Sequence, residues 1–395
     1  MIHLFLNGLA ASAGGGLTYL RNVLPQLSAR FDARATVALS PQLRRELGDL
    51  PNVSFLETPI QESSARRFWQ EQTGLSRWVR ESGADALISA GNFALQNSPV
   101  PQILLSRNSL YLSGDFFRDL RVRHAYRLWL DTCIKGVLAK RSIRRADCTV
   151  APTRAFAEDL RRWTGKDVTS IPHGFDHDTF FRDQTPLPQE VEQKLHRARG
   201  ALRLLFVSHY NYYRNFETLF RAMPLILEGL GGRELKLFLT CTLRAEATPG
   251  GYRPEKAACL IRRLGLTGSV VELGSVPYSQ LHHVYRSCDL YVTPAYTESF
   301  AHPLVEAMAS GLPVVASDLR VHREICGAAG VYFPAFSARE MAEQVLRVAS
   351  SKALAQDLAS QGASRAREFS WRRHVGQMIE LASGLATRRT APAEI

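Results

Sequence analysis

The amino-acid sequence predicts an α/β protein with two domains, each a doubly wound parallel sheet covered by helices on both faces. Three observations predict this fold class. The chain has 395 residues, which is more than one hydrophobic core usually supports. Short apolar segments alternate with helical segments along most of the chain, as in parallel sheets. The alternation stops in the polar, proline-containing stretch 183–200 and then starts again, which indicates two domains in tandem.

Six apolar segments predict the strands of the first domain, and three further stretches predict its helices. The strands are expected at 2–7, 35–40, 53–58, 84–90, 101–106 and 148–153. The helices are expected at about 17–29, 117–145 and 154–164. We predict that this domain covers residues 1–180 and that a linker with a polar helix spans 181–200.

Five more apolar segments, each followed by a helical stretch, predict a second domain at 201–370. Its strands are expected at 202–209, 235–241, 270–274, 289–295 and 312–317. A last helix at 371–395 is expected to cross back to the first domain. Because doubly wound sheets bind ligands at the carboxyl ends of their strands, the loops that follow the strands are the expected place for chemistry.

Composition and cysteine spacing indicate a soluble, cytoplasmic protein. Hydrophobic residues make up 45% of the chain and charged residues 22%, as in globular proteins. No segment approaches the roughly 20 apolar residues of a membrane-spanning helix. The six cysteines are widely spread without a Cys-x-x-Cys pair, which favours reduced thiols over disulfides or a zinc site.

The net charge of +12 is unevenly distributed, and the segment 118–145 is strongly basic. It holds nine Lys or Arg and two Asp, with apolar residues at roughly helical spacing. Such a basic amphipathic helix is typical of a peripheral contact with an anionic membrane. An ordinary packed helix with a solvated basic face has the same pattern. Nucleic-acid binding is disfavoured, because no helix-turn-helix, zinc or RNA-binding signature accompanies the charge.

Two loops after predicted strands carry candidate phosphate ligands. Gly15 and Gly16 lie before the first helix, where glycine amides can approach an anion, although a flexible turn explains them equally well. Neither Gly-x-Gly-x-x-Gly nor a Gly-x-x-x-x-Gly-Lys phosphate loop occurs. In the second domain, His209 ends a strand and Arg214 precedes a helix. A guanidinium there can bind two oxygens of a diphosphate, but an ordinary surface arginine is the simpler explanation for Arg214 alone.

The segment 296–317, YTESFAHPLVEAMASGLPVVAS, places two glutamates eight positions apart around a predicted helix start. Amides at the start of this helix are expected to be available to a phosphate. Glu298 is expected to accept hydrogen bonds from sugar hydroxyls, and Glu306 from the vicinal hydroxyls of a ribose. Simple stabilisation of the helix start would explain the carboxylates without any ligand.

The longer segment CDLYVTPAYTESFAHPLVEAMASGLPVVAS resembles the Glu-x7-Glu signature of the retaining, GT-B fold glycosyltransferases of family 4. The resemblance extends to GGGLTYLRNVLPQL, SIPHGFDHDTF, FVSHYNYYRNFETLFRAM and VVELGSVPYSQLHHVYRSCDLYV, which follow in the family's order over most of the chain. It implies two Rossmann-like domains that face each other across a cleft, the first binding the acceptor and the second the nucleotide sugar. It also implies that no metal ion or other cofactor is needed.

The resemblance implies roles for the residues of the signature. Glu298 contacts hydroxyls of the donor sugar, and Glu306 contacts the ribose. The amides of Phe300 and Ala301, with Ser299 beside them, meet the diphosphate. Glycines are common in this motif where the chain has Ser299 and Ala301.

Outside the signature, the resemblance implies two cations and a group of acceptor residues. Arg214 takes the place of the family's phosphate-binding lysine, and His209 stands where an arginine is usual. The family often has a histidine near the reacting sugar where this chain has Arg107 and Asn108. His173, in the segment that closes the first domain, is a further candidate contact for the acceptor or the sugar.

These observations together predict a retaining hexosyltransferase, with GDP-mannose as the favoured donor. The acceptor is expected to be a glycan or lipid-linked, in the assembly of cell-surface polysaccharide or glycolipid at the inner membrane face. A soluble acceptor, such as a small natural product, is the alternative within the same class. A sugar-nucleotide epimerase of GT-B fold and a non-catalytic nucleotide-sugar binding protein are alternatives of other classes, and detection of transfer would separate all of these.

Overall fold

The structure is a computed structural model that describes residues 1–10, 14–58, 64–248 and 251–390. The chain forms two units. The first unit contains Met1–Leu112, Leu130–Gly174 and Ser370–Ile395, and the second contains Ser113–Trp129 and Phe175–Phe369.

A parallel sheet of seven strands forms the centre of the first unit, in the order β3-β2-β1-β4-β5-β6-β7. The strands are β1 Ile2–Asn7, β2 Ala33–Leu39, β3 Val53–Glu57, β4 Ala86–Ser89, β5 Gln102–Leu105, β6 Cys148–Ala151 and β7 Thr169–Ser170. The helices up to the end of this sheet are α1 Gly14–Ser28, α2 Pro41–Leu47, α3 Ser64–Ser82, α4 Gly114–Val122, α5 Tyr126–Arg145 and α6 Arg154–Thr164. The central strands β4 and β5 are buried along their whole length because helices cover both faces of the sheet.

The second unit has a parallel sheet of six strands in the order β10-β9-β8-β11-β12-β13. The strands are β8 Leu202–Phe206, β9 Leu235–Leu239, β10 Val270–Glu272, β11 Leu290–Thr293, β12 Val314–Ser317 and β13 Gly330–Phe333. The helices are α7 His177–Arg182, α8 Gln189–Arg197, α9 Phe216–Gly229, α10 Glu255–Arg263, α11 Leu281–Arg286, α12 His302–Ala309, α13 Arg320–Cys326, α14 Ala338–Ala349 and α15 Lys352–Ala366. A last helix, α16 Trp371–Thr390, belongs to the first unit.

Both sheets reverse their strand order once, between β1 and β4 in the first unit and between β8 and β11 in the second. At such a switch point the loops after the two strands diverge and leave a crevice at the carboxyl edge of the sheet. The predicted fold class, two α/β domains with doubly wound parallel sheets, is confirmed.

The structure divides the chain differently from the predicted ranges 1–180, 181–200, 201–370 and 371–395. The segment Ser113–Trp129 lies in the second unit. The predicted linker is also part of that unit, because α8 buries Val191 and Leu195 at helical spacing and exposes its polar residues. Residues 391–395 lie outside the described residues.

The single basic helix predicted at 117–145 is wrong, since the chain forms α4 and α5 with a turn between them. α4 ends because His124 adopts a left-handed conformation with φ 54°. The amides of His124 and Ala125 then donate to the carbonyls of Arg121 and Leu120, which is the Schellman pattern of a helix end. Glycine usually occupies the left-handed position, so the sequence carries no signal for this turn.

Candidate active site

The loops after β8 and β11 bring Arg214 and Glu298 together at the switch point of the second unit. Nη1 of Arg214 donates to Oε1 of Glu298 in an ion pair. The two side chains are only 18% and 9% exposed. The sequence predicts both residues as ligands of one donor, and the structure places them in direct contact.

Neighbouring asparagines hold Arg214 in place. Arg214 ends the 3₁₀ turn Tyr212–Arg214, and its amide donates to Oδ1 of Asn211 at 3.1 Å. Asn215 follows in a left-handed conformation, and its Nδ2 donates to the carbonyls of Pro294 and Ala335 at 3.0 and 2.6 Å. The loop after β8 is thereby tied to the loops after β11 and β13. Sequence analysis missed Asn215, although an asparagine directly before a helix is a recognisable turn signal.

The guanidinium of Arg214 keeps one donor without a partner. Its Nε is buried and makes no hydrogen bond to any described residue. The buried His322 adds no second positive charge near pH 7, because burial lowers its pKa to about 4 and keeps its imidazole neutral. Arg214 therefore retains donor capacity for an anionic ligand in a site where its carboxylate partner is already engaged.

The N-terminus of α12 lies in the same loop as Glu298. Ala301 is the N-cap residue, in a left-handed conformation with φ 68°, and its methyl group cannot accept a hydrogen bond from the first turn. Ser299 and Phe300 precede it, and Phe300 packs edge-on against Phe369 at 5.6 Å between ring centroids. A left-handed alanine costs roughly 1 kcal/mol, and such strain is often found at functional sites. A helix start with no side-chain cap is suited to a phosphate.

Glu306 lies inside α12 and is more enclosed than the sequence indicates. It is 5% exposed, and the hydroxyl of Tyr285 donates to its Oε2 at 2.8 Å. Burial raises the pKa of Glu306 to about 7, while the Tyr285 hydrogen bond opposes the rise. The expected acceptor of ribose hydroxyls is therefore partly protonated near neutral pH. Tyr285 was missed because nothing in the sequence links it to a glutamate 21 residues later.

We expect Glu306→Gln to remove a pH dependence of folding stability. The pKa of Glu306 is higher in the folded chain than in the unfolded chain. The protonated side chain therefore contributes fully to the unfolding free energy below about pH 4.5, and this contribution is lost as the pH rises through about 7. Glutamine stays neutral, so the variant should exceed the native chain by about 3 kcal/mol in unfolding free energy at pH 8 and match it at about pH 4. Urea denaturation at the two pH values measures this, with the exposed Glu228→Gln as control. An unchanged pH dependence would contradict the expectation.

The remaining candidates from the sequence are His209 in the second unit and several residues of the first unit. His209 is exposed after β8, and its ring makes no hydrogen bond or ion pair to a described residue. Gly15 and Gly16 lie in the first turn of α1 rather than in a loop before it. Asn108 begins a turn, with its Oδ1 accepting from the amide of Leu110 at 3.0 Å.

Arg107 braces the carboxyl edge of the first sheet. Its Nη2 donates to the carbonyl of Ala90, and its amide donates to Oδ1 of Asn92 at 2.7 Å. The guanidinium also lies 5.0 Å from the ring centroid of Tyr19. Burial lowers the pKa of Arg107 to about 10, which leaves it charged at neutral pH. These contacts join the loops after β4 and β5 to α1.

His173 is packed in an aromatic cluster instead of facing a surface. Its ring centroid lies 5.4 Å from that of Trp371, 5.5 Å from that of Tyr19 and 5.6 Å from that of His374. The hydroxyl of Tyr19 and Nε2 of His374 are 3.0 Å apart. The cluster fixes α16 against α1, and the contact of His173 with an acceptor or sugar stays a prediction.

A buried ionic network, missed from the sequence, supports the loops of the second unit. Nη1 and Nε of Arg123, at the end of α4, donate to Glu217 at 2.8 Å and to Asp119 at 2.7 Å. The hydroxyl of Tyr296 donates to the other oxygen of Asp119 at 2.9 Å. The guanidinium also lies 4.3 Å from the ring centroid of Tyr212. Since Tyr212 begins the turn of Arg214 and Tyr296 lies two residues before Glu298, α4 supports both sides of the site.

Within the described ranges, no three His, Cys, Asp or Glu side chains gather as possible metal ligands. A metal-independent reaction stays a prediction.

Two family models match the chain. The model described as "Glycosyl transferases group 1" matches residues 189–365, and the model described as "Glycosyltransferase Family 4" matches residues 13–179. The first includes Arg214, Glu298 and Glu306, and the second includes Arg107 and His173.

Relatives and a solved structure agree with these matches. The chain is 32% identical to a D-inositol 3-phosphate glycosyltransferase of Nocardia farcinica over 46% of its length and 39% of the relative. It is 27% identical to a phosphatidyl-myo-inositol mannosyltransferase of Mycobacterium leprae over 59% of each. The aligned part spans less than two thirds of either relative. The crystal structure of Anabaena HepE in complex with UDP-glucose superimposes with a TM-score of 0.72 at 18% identity, over 98% of this chain and 100% of that one.

Proposed function

Because the chain belongs to the GT-B glycosyltransferases of family 4, we propose that it transfers a hexosyl group from a nucleoside-diphosphate sugar, with retention of configuration at the anomeric carbon. The observation that carries the proposal is the Arg214–Glu298 pair beside the start of α12 at the switch point. This arrangement combines a cation, helix-start amides and a carboxylate, which are the groups that a diphosphate and a sugar require.

The chemistry requires stabilisation of a leaving group more than a nucleophile. When the bond between the anomeric carbon and the diphosphate breaks, negative charge grows on the departing phosphate. Arg214 and the first-turn amides of α12 stabilise that charge. The acceptor oxygen forms the new bond, and its proton passes to a phosphate oxygen of the leaving group. Glu298 then serves to bind sugar hydroxyls and to orient Arg214, and it forms no covalent intermediate.

The favoured donor is GDP-mannose, with its ribose hydroxyls held by Glu306. Support for mannose comes from the Mycobacterium leprae relative, which is named a mannosyltransferase. The complex of Anabaena HepE with UDP-glucose favours a uridine nucleotide instead. Both point to a nucleoside diphosphate joined to a hexose.

Calorimetric titration with GDP, UDP, dTDP and ADP in EDTA tests this proposal. We expect one nucleotide to bind without metal and Glu306→Ala to weaken its binding by at least about 1 kcal/mol, since hydrogen bonds to a charged group are lost. The donor sugar with that base should then yield transfer to an acceptor. Absence of binding for all four nucleotides would contradict the proposal, and binding that depends on a metal would contradict the metal-independent part.

The acceptor is lipid-linked or a glycan, and α5 brings the enzyme to the inner face of a membrane as a peripheral protein. The support is an exposed apolar stripe along α5, with every member more than half exposed. The stripe consists of Tyr126, Leu130, Ile134 and Val137. The opposite, buried face of α5 is made mostly of small residues, namely Thr132, Gly136, Ala139, Ser142 and Ile143.

Charge on α5 complements an anionic surface. Arg127, Arg141 and Arg145 are exposed along the same helix. An ordinary packed helix would bury most of its large apolar side chains, whereas α5 buries only Ile143 and leaves the four members of the stripe exposed between arginines. Each basic residue near an anionic bilayer adds about 1 kcal/mol of attraction. No described helix is long and apolar enough to cross a membrane.

We expect the triple variant Leu130→Ser, Ile134→Ser, Val137→Ser to bind vesicles containing phosphatidylglycerol at least about tenfold more weakly than the native chain, because buried apolar area is lost. Flotation measures the bound fraction. Phe31→Ser removes an exposed aromatic side chain far along the sequence from α5 and is the matched control. Equal flotation of the triple variant and the native chain would contradict a contact through α5.

A further inference from the structure

The second unit contains a pocket of about 540 Å³ formed by α4, α9 and α10. Its floor includes the network of Arg123, Asp119, Glu217 and Tyr296. Arg214, Glu298 and Glu306 are not among its described lining residues. The volume is within the range of about 300–1,000 Å³ that is usual for small-molecule sites.

Three cations surround this pocket without acidic partners. Arg221 on α9 and Lys256 and Arg263 on α10 are exposed, and none has an ion pair with a described residue. The two carboxylates of the floor, Asp119 and Glu217, share the single cation Arg123, so the four cations and two anions of the described lining leave it with a net charge of +2. Like charges around one concave surface raise its positive potential, which favours an anion.

The floor also offers a hydrogen-bond acceptor. Oε2 of Glu217 is buried and accepts no hydrogen bond from a described residue, while Oε1 accepts from Arg123 and from Tyr210. A ligand hydroxyl is the group that would satisfy this oxygen. On one wall, Phe336 is 52% exposed and stacks on Tyr296 at 5.2 Å, which provides an apolar platform.

We infer that this pocket is a second binding site, separate from the donor site, for a small phosphate ester that carries free hydroxyl groups. The phosphate meets Arg221, Lys256 and Arg263, and a hydroxyl group meets Glu217. The carbon skeleton lies against Phe336. The site does not depend on the identity of the nucleotide donor.

Cys259 provides a direct readout, because it is an exposed cysteine that lines the pocket, whereas the other five cysteines are buried or partly buried. The rate of N-ethylmaleimide labelling at Cys259 is measured on the full chain by peptide mass spectrometry. We expect glucose 6-phosphate to slow this labelling, and inorganic phosphate to require a higher concentration for the same protection. Equal protection by inorganic phosphate would overturn the part assigned to Glu217.

Variants separate this site from the donor site. The triple variant Arg221→Gln, Lys256→Gln, Arg263→Gln should require at least about tenfold more glucose 6-phosphate for the same protection. Arg262→Gln changes the neighbouring exposed arginine of α10, which does not line the pocket, and should behave like the native chain. The double variant Arg214→Met, Glu298→Gln, which keeps the fold but not the transfer activity, should retain protection. The inference is overturned if glucose 6-phosphate gives no protection, if the triple variant is protected normally, or if this folded double variant loses the protection.

The phosphate group can belong to a soluble ester or to a lipid headgroup. Dihexanoyl phosphatidylinositol, used below its micellar concentration, provides the lipid arm of the same labelling experiment. If glucose 6-phosphate protects Cys259 at a lower concentration than the lipid does, the ligand is a soluble ester. If the lipid protects at the lower concentration, the ligand is a lipid headgroup. Either result supports the site, provided that the triple variant weakens it.

Discussion

Replacing Arg214 with methionine is expected to lower kcat for glycosyl transfer by about 100- to 1,000-fold, because one charged donor to the leaving diphosphate is lost. Nε of Arg214 has no partner among the described residues, and Nη1 is held by Glu298, so the guanidinium is fixed beside the start of α12. Steady-state release of the nucleotide, with the donor identified by titration, measures the loss. Arg262→Met, which changes an exposed arginine of α10, is the control and should keep kcat unchanged.

The same substitution also affects folding, and a second variant separates the two effects. Removing Arg214 leaves Glu298 as a buried charge without its partner, which costs about 3–5 kcal/mol. The double variant Arg214→Met, Glu298→Gln should recover most of the unfolding free energy but none of the transfer rate. If the double variant regained transfer activity as well as stability, the contribution assigned to Arg214 in stabilising the leaving diphosphate would be wrong.

Replacing Arg123 with methionine is expected to lower the unfolding free energy of the second unit by about 3–5 kcal/mol. Asp119 and Glu217 would remain as largely buried carboxylates without a cation, since all three side chains are less than one fifth exposed. Urea denaturation, with amide hydrogen exchange in α9 as the readout, measures the change in unfolding free energy. Arg121→Met alters an exposed arginine of the same helix and should have little effect. A similar loss in both variants would show that the network adds no stability.

The parts of the fold that sequence could predict are those with strong local patterns. β8 and β11 are mostly apolar, so Arg214 and Glu298 could be assigned to loops at the carboxyl ends of strands. β7 has only two residues, and β13 has four and begins with glycine, so neither has a pattern to recognise. The family identified from the Glu-x7-Glu segment is confirmed by the matches to both halves of the chain.

The parts of the site that were missed depend on contacts between residues far apart in sequence. Arg123 and Glu217 are 94 residues apart, and Tyr296 and Asp119 are 177 residues apart. Their pairing follows from the docking of α4, which hydrophobic spacing does not specify. Spacing also cannot tell which face of α5 packs inward, because its buried face is made mostly of small residues.

The division of the chain into its two units determines when each can form during synthesis. The chain passes from one unit to the other four times, so neither unit is one uninterrupted length of polypeptide. Arg123 leaves the ribosome long before Glu217, and Tyr19 precedes its partner His374 by 355 residues. Protein domains generally fold as units during translation. Here the first unit lacks α16, and the second lacks α15, until most of the chain has been made. Fragments cut near residue 175 would separate α4 from α9 and leave both halves incomplete, so genetic dissection should use point substitutions rather than isolated halves.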